Sequence, residues 1–421
     1  MRNKKLIAPQ ASFRLVYYGT CFMISVLVFF TFLQVGINKF QPAAFGKMVY
    51  GTAWKPYVYR ALVPFIIRTA TALVPEETRQ AINESIWGKK AFQLLNDKKL
   101  RWEKMFLTEF LIGSTVMYLG LVGFFFAFRY FFKTVYEAPD KLLDLTSLAA
   151  LLGLPVMFKY TSFIYDFGTL FLFTLGLALM ARQKWISFLV VYALACFNKE
   201  TTILLTMLFV IYFNFMPPAR LDKPSFLKVL SAQIVIYLIV RAILNYFFYD
   251  NPGSFLLDVT GILAKHNLSM APYSIEAFVY LFIALMVLYK WEEKPLFLKW
   301  GLWVLPPLVV LCLFFGFLDE LRDYYEAYPI VLLLMAHTMG DITGWKANTR
   351  IIASQRWDVG AESNLQQRGH LLFCNQAASP PAITVIRDAP DFPQHLPHRR
   401  AQDSDHWSGA WHPAPSRLPA A

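Results

Sequence analysis

The segment FLIGSTVMYLGLVGFFFAF at 110–128 carries no charge. Wound as a helix, it is long enough to cross the roughly 30 Å hydrocarbon core of a bilayer. The run CFMISVLVFFTFLQV at 21–35 is of the same kind. Helices apolar on every face belong inside a large core or a membrane. A transmembrane β-barrel would alternate over segments of about ten residues, and these runs do not alternate. At 57% hydrophobic and 17% aromatic residues, with 39 Phe, the rest of the chain extends the pattern. The expected fold class is all-α: a polytopic transmembrane helical bundle.

Ten spans are expected, at roughly 15–37, 106–132, 143–159, 164–181, 185–197, 201–216, 228–248, 276–291, 301–317 and 328–344. The N-terminal MRNKKLIAPQASFR is basic and leads into a run too long for a signal-peptide core. Residues 1–14 therefore read as a cytoplasmic start before a retained first span. With that start, Arg129 and Lys133 fall inside, as do Arg182 and Lys184, PPARLDKPSFLK (217–228) and KWEEKP (290–295). This is the positive-inside pattern.

One apolar segment, YVYRALVPFIIRTATALVP at 57–75, would reverse every later loop if it spanned. Pro56 and Pro64 favour a broken helix there, and Arg60 and Arg68 lie eight apart. It reads as a helix in, or dipping into, the outer interface. It forms part of a large first outer loop, 38–105, with Lys89, Lys90, Lys98, Lys99, Arg101 and Lys104 near its end. Long loops escape the charge rule. Residues 185–197 reach only about 20 Å as a helix, which places the turn Asn198-Lys199-Glu200-Thr201 slightly inside the outer leaflet. The alternative is one long kinked helix through both arms. The transmembrane domain is expected to run over 15–345. The tail 346–421 has no apolar period, holds five of the seven histidines, and reads as disordered.

A net charge of +12 and a pI near 9.4 sit in loops between spans, which suits anionic lipid headgroups rather than nucleic acid. Cys21, Cys196 and Cys312 lie in apolar runs and Cys374 in the tail, so they read as packing residues. There is no Gly-rich phosphate loop, HExxH, GxSxG or paired-Cys motif, which removes nucleotide hydrolysis of the soluble type. No internal repeat of the kind transporters carry is evident.

The polar residues left between the spans gather on the expected outer side: Arg60, Asp166, Lys199, Glu200, Arg241, Asp319, Glu320, Arg322 and Glu326. Ionisable groups at membrane depth are costly unless paired or functional. Lys199 either pairs locally with Glu200, capping the hairpin, or acts as a point charge for a lipid phosphate. Asp166 opens the 164–181 span and either caps it or serves as general base or metal ligand. Arg241, about two turns from the outer end of its span, either snorkels through lipid or grips a phosphate. In LDELRDYYEAYP (318–329), Glu320 and Arg322 are expected to pair, with the tyrosines at the interface. His337 and Asp341, four apart in the last span, read as structural.

YRALVP (59–64), YDFGTLFLFTLGLALMARQKW (165–185), ALACFNKETTILL (193–205) and DELRDYYEAYP before a final span follow in order. Over 15–344 this order resembles bacterial multi-spanning membrane proteins related to the GT-C glycosyltransferases. The resemblance implies an inner-membrane bundle whose site lies at the outer face. It also implies a polyprenyl-phosphate-linked sugar as donor, for envelope polysaccharide or glycoconjugate synthesis. In such enzymes a lysine at the outer end of a span contacts the donor phosphate, and Lys199 stands at that place. The family usually carries an acidic residue early in the first outer loop, whereas 37–60 has none. Either Asp166, Glu76 or Glu77 then takes the base role, or the chain transfers no sugar and is a lipid-linked-sugar flippase or assembly partner. On the enzymatic reading Asp166 is catalytic, and Lys199, Glu200, Arg241, Arg60, Glu320 and Arg322 bind substrate. A divalent metal is left open, the expected partners are membrane lipids and the donor, and oligomeric state is not indicated.

Overall fold

Helices account for most of the described backbone. The computed structural model describes residues 7–215, 221–253, 265, 267–269 and 275–349. The expected tail beyond 349, part of the 217–228 segment and the last residue of the 201–216 span lie outside the described residues. The helices are α1 (Ile7–Val35), α2 (Phe45–Val49), α3 (Leu62–Ala72), α4 (Glu76–Trp87), α5 (Lys90–Leu95), α6 (Leu107–Val135) and α7 (Asp140–Leu152). After these come α8 (Asp166–Ala181), α9 (Trp185–Asn198), α10 (Ile203–Phe215), α11 (Lys223–Phe247) and α12 (Ile275–Leu288). The last three are α13 (Leu296–Gly301), α14 (Leu305–Phe315) and α15 (Tyr328–Thr343).

Among the described residues, four helical stretches are long and apolar enough to cross a membrane: Ser12–Val35, Lys104–Val135, Lys223–Phe247 and Leu296–Phe315. They mark the chain as a membrane protein. Shorter apolar helices, α3, α8, α9, α10 and α12 among them, fill in the bundle. α8 packs along α6 and is buried on nearly every face, from Phe167 through Ala181. Helices in a bilayer gain little from hydrophobic burial against one another, so close packing has to hold them. Gly120 of α6 permits that approach, because a Cβ there would lie 3.2 Å from Phe167. α11 is the opposite case. Leu238, Ile239, Tyr246 and Phe247 point outward, leaving a face suited to lipid.

Two expectations about elements change. The 143–159 segment is not one continuous helix: α7 ends at Leu152, and after Gly153 a 3-10 turn covers Leu154–Met157. Pro155 lacks the amide hydrogen a continuing helix would use. The 185–216 segment is two arms joined by a turn, as expected, and not the alternative of one kinked helix, because Lys199 is extended (φ −158°, ψ 141°) between α9 and a 3-10 turn at Glu200–Thr202. The all-α class gains one small exception, an antiparallel pairing of Tyr136–Glu137 with Asn348–Thr349. The 57–75 segment is broken ahead of α3, as expected, though not at Pro64, which the first turn of that helix accommodates. A 3-10 turn at Tyr57–Tyr59 precedes α3, whose 11 residues reach about 16 Å.

Helix ends are tied down by side chains. Lys294, 3% exposed, donates to the Met286 carbonyl of α12 (3.0 Å) and to the Leu334 carbonyl (2.7 Å) and Thr338 hydroxyl (2.8 Å) of α15. Asp341 holds Lys290 at 2.9 Å and accepts from Tyr289 at 3.0 Å. His337 is buried with Nδ1 unpartnered and shares no bond with Asp341.

Candidate functional site

Four separate segments meet around Tyr165. They are the chain before α3, the start of α8, the turn between α9 and α10, and the 319–326 stretch before α15. Local backbone explains how each side chain is presented. Extended residues send successive side chains to opposite sides, so Lys199 and Glu200 diverge instead of pairing. Lys199 Nζ reaches Glu326 Oε1 at 2.9 Å, and Glu200 turns to Arg60. The Arg60–Glu200 contact is bidentate, Nε to Oε2 at 3.1 Å and Nη2 to Oε1 at 2.5 Å. Arg60 also donates to the Tyr165 hydroxyl.

Arg322 organises the other half. It donates to Glu320 Oε1 from Nε (2.9 Å) and Nη2 (2.7 Å). It lies 3.7 Å from an oxygen of Asp166 and 3.7 Å from one of Asp323. Asp166 stands at the first position of α8 and accepts the Phe163 amide at 2.9 Å, which ties down the turn ahead of the helix and is not a cap bond to the helix itself. Aromatic rings join the halves. The Arg322 guanidinium sits 4.4 Å from the Phe163 ring centre, Phe163 stacks on Tyr165 at 5.3 Å, and Arg60 lies 4.5 Å from Tyr165. Cations over aromatic faces gain electrostatically, more so where water is excluded.

Electrostatics sort the loop carboxylates. Burial raises the Glu200 carboxyl, but the charge and hydrogen bonds of Arg60 outweigh it and hold it at about 2. Burial dominates at Glu320, with Asp323 and Asp166 adding repulsion against the pull of Arg322, and carries it to about 7. Three carboxylates sharing one guanidinium leave one of them short of countercharge. Burial opposes the charge of Arg60, yet Glu200 and Tyr165 keep it firmly protonated. Asp319 is held below the usual carboxylate range against burial by Lys159 at 2.7 Å and the Tyr160 hydroxyl at 2.5 Å.

Of the residues singled out in the sequence, Arg60, Glu200, Asp166, Glu320 and Arg322 come together, with Lys199 beside them. Arg241 does not enter the ion-pair group. It donates to the Cys196 carbonyl at the end of α9, where a cation suits the helix dipole, and its Nε has no partner. It neighbours the group through Tyr237, whose hydroxyl donates to the Glu200 carbonyl at 3.4 Å. Glu76 pairs with Arg79 on the exposed α4, and Glu77 is exposed, so neither is near. Sequence reasoning counted Glu326 in the outer cluster without giving it a role, and passed over Phe163, Tyr165 and Lys159. Glu326 is fully buried, and the Thr201 hydroxyl donates to it as well as Lys199. Its signal was present: an acid four residues after Arg322 in a run already dense with charge.

Chemically, the group offers three cations fixed by carboxylates from distant segments and no open metal cage. Among the described residues no three His, Cys, Asp or Glu side chains come together to hold a metal ion. Comparison with known proteins finds no matching family, no similar curated protein and no similar solved structure.

Proposed function

We propose that this chain is an inner-membrane protein of about ten spans that handles a polyprenyl-phosphate-linked sugar at its outer face, as a glycosyltransferase of the GT-C kind. The observation that carries the reading is the meeting of Arg60, Lys199 and Arg322 with carboxylates from three segments around Tyr165. Transfer from a lipid phosphate needs a cation for the departing phosphate and a carboxylate for the acceptor's proton. Lys199 meets the first need. Its side chain is 12% exposed, and an ammonium has three N–H groups, so it can hold an anion as well as Glu326. A carboxylate of the same group meets the second, Asp166 being the one its sequence position suggests. The proposed topology supports the reading by putting loop 38–105 and the 318–328 turn on the same outer side.

The test is binding of undecaprenyl phosphate, compared with undecaprenol, to the full chain in nanodiscs. Phosphate-dependent binding is expected. Lys199→Ala should weaken it at least about tenfold while Lys199→Arg keeps part, since charge survives but geometry changes. Equal binding of phosphate and alcohol overturns the proposal. Because every cation at the centre is already paired, a carrier without chemistry is the second reading. It would bind the phosphate and release it from no sugar donor.

A further inference from the structure

We infer that Glu326, rather than Asp166, is the carboxylate that takes the proton from an acceptor hydroxyl; the inference rests on the lipid-phosphate reading above. Glu326 is 0% exposed. Its Oε1 is held by Lys199 and Thr201, while Oε2 has no hydrogen-bond partner among the described residues. A buried oxygen without a donor forfeits its hydration with nothing in return, so the position is one a hydroxyl would fill favourably. The neighbouring carboxylates have cations or donors of their own. Both oxygens of Glu200 face Arg60, Oε1 of Glu320 meets Arg322, and Oδ2 of Asp319 meets Lys159 and Tyr160. Oδ2 of Asp166 accepts the Phe163 amide beside Arg322.

Lys199 supplies the second part of the argument. Its side chain is 12% exposed, whereas the carboxylate its ammonium meets at 2.9 Å is fully buried. A phosphate drawing Lys199 toward itself uncovers Glu326 and places donor and proton acceptor side by side. In the step, the acceptor's O–H proton passes to Glu326 Oε2 as its oxygen forms a bond to the anomeric carbon. The bond from that carbon to the phosphate oxygen breaks, and its electron pair stays with the phosphate, whose charge Lys199 meets. The proton then leaves Glu326 for water. The acceptor is accordingly an alcohol, such as a sugar hydroxyl, and not an amine already protonated at neutral pH.

The experiment pairs undecaprenyl phosphate binding in nanodiscs with turnover in envelope membranes, which supply the acceptor. Turnover is read as release of undecaprenyl phosphate from its mannosyl, glucosyl, galactosyl and arabinosyl derivatives. Glu326→Gln should lower turnover at least about 100-fold, the usual scale for a lost general base. Its affinity for undecaprenyl phosphate should stay level or rise about threefold, because Lys199 loses a competing negative charge. Glu326→Asp should recover part of the turnover. Turnover in Glu326→Gln within about tenfold of wild type overturns the assignment and leaves the lipid-phosphate reading standing. So does joint loss of binding and turnover that Glu326→Asp fails to repair. A wild type that binds no undecaprenyl phosphate, or releases none from any of the four derivatives, overturns the reading and the assignment together.

Discussion

Arg60 and Glu200 lie 140 positions apart and close on each other through two hydrogen bonds, at 3.1 Å and 2.5 Å. Their side chains are 12% and 18% exposed, so the pair works in a setting that screens it weakly. Removing one partner strands the other charge. Arg60→Ala is expected to cost about 3–5 kcal/mol, the range for a broken buried pair. The same change made in a Glu200→Gln background should cost about 1–3 kcal/mol less. Thermal unfolding in detergent measures both, and equal costs in the two backgrounds would show the pair to be uncoupled.

The Glu320 carboxyl gives stability a pH dependence of a particular sign. Its folded-state value, about 7, lies above the ordinary 4.5. The folded chain therefore holds this proton more tightly than the unfolded chain. Stability from this group is full below about 4.5 and is lost as pH rises through about 7. Glu320→Gln should gain on the wild type in melting temperature between about pH 5 and pH 8, since it has no proton to lose. A constant difference across that interval would contradict the assignment.

Gly168 predicts a rescue. A Cβ at this position of α8 would sit 2.7 Å from Asn198 Oδ1. The Asn198 amide group also donates to the Tyr165 carbonyl (3.1 Å) and the Thr169 hydroxyl (2.9 Å). Gly168→Ala should therefore lower stability by about 1–3 kcal/mol, the cost of overpacking. In an Asn198→Ala background the same change should be close to neutral. If it costs as much there, the clash lies elsewhere.

The proposed topology is checked by labelling single cysteines introduced at Lys90 and Lys223, both exposed. A membrane-impermeant thiol reagent applied from outside should modify the first and spare the second. Modification of both from the same side would remove the argument that the first loop and the 318–328 turn face the same compartment.

Sequence alone carried the helices well wherever a residue forbids continuation. A 3-10 turn follows Pro56 at the head of the 57–75 segment, and the Lys-Glu pair interrupted the 185–216 stretch. At 143–159, Pro155 was the same kind of signal, but the apolar run around it concealed where α7 stops. The partners of the charged residues were harder to read. Composition placed Arg60, Asp166, Lys199, Glu200 and Arg322 together without saying which cation meets which carboxylate. Those pairings depend on the side from which each segment approaches. Lys199 and Glu200 are neighbours in the chain and, because of one extended residue, partners to different segments. Arg241 was hidden for another reason: its partner is a backbone carbonyl, which every residue has.

That extended residue has a mechanical consequence. Lys199 is fastened to the segment before the last helix and Glu200 to the segment before α3, with only one peptide bond between the two attachment points. So short a span of chain has almost no slack. A tug that draws Lys199 away from Glu326 is passed to Arg60 as displacement rather than absorbed as bending. The turn behaves as a lever with two loaded arms, and motion of either loop is felt by the other without any change in the helices between them.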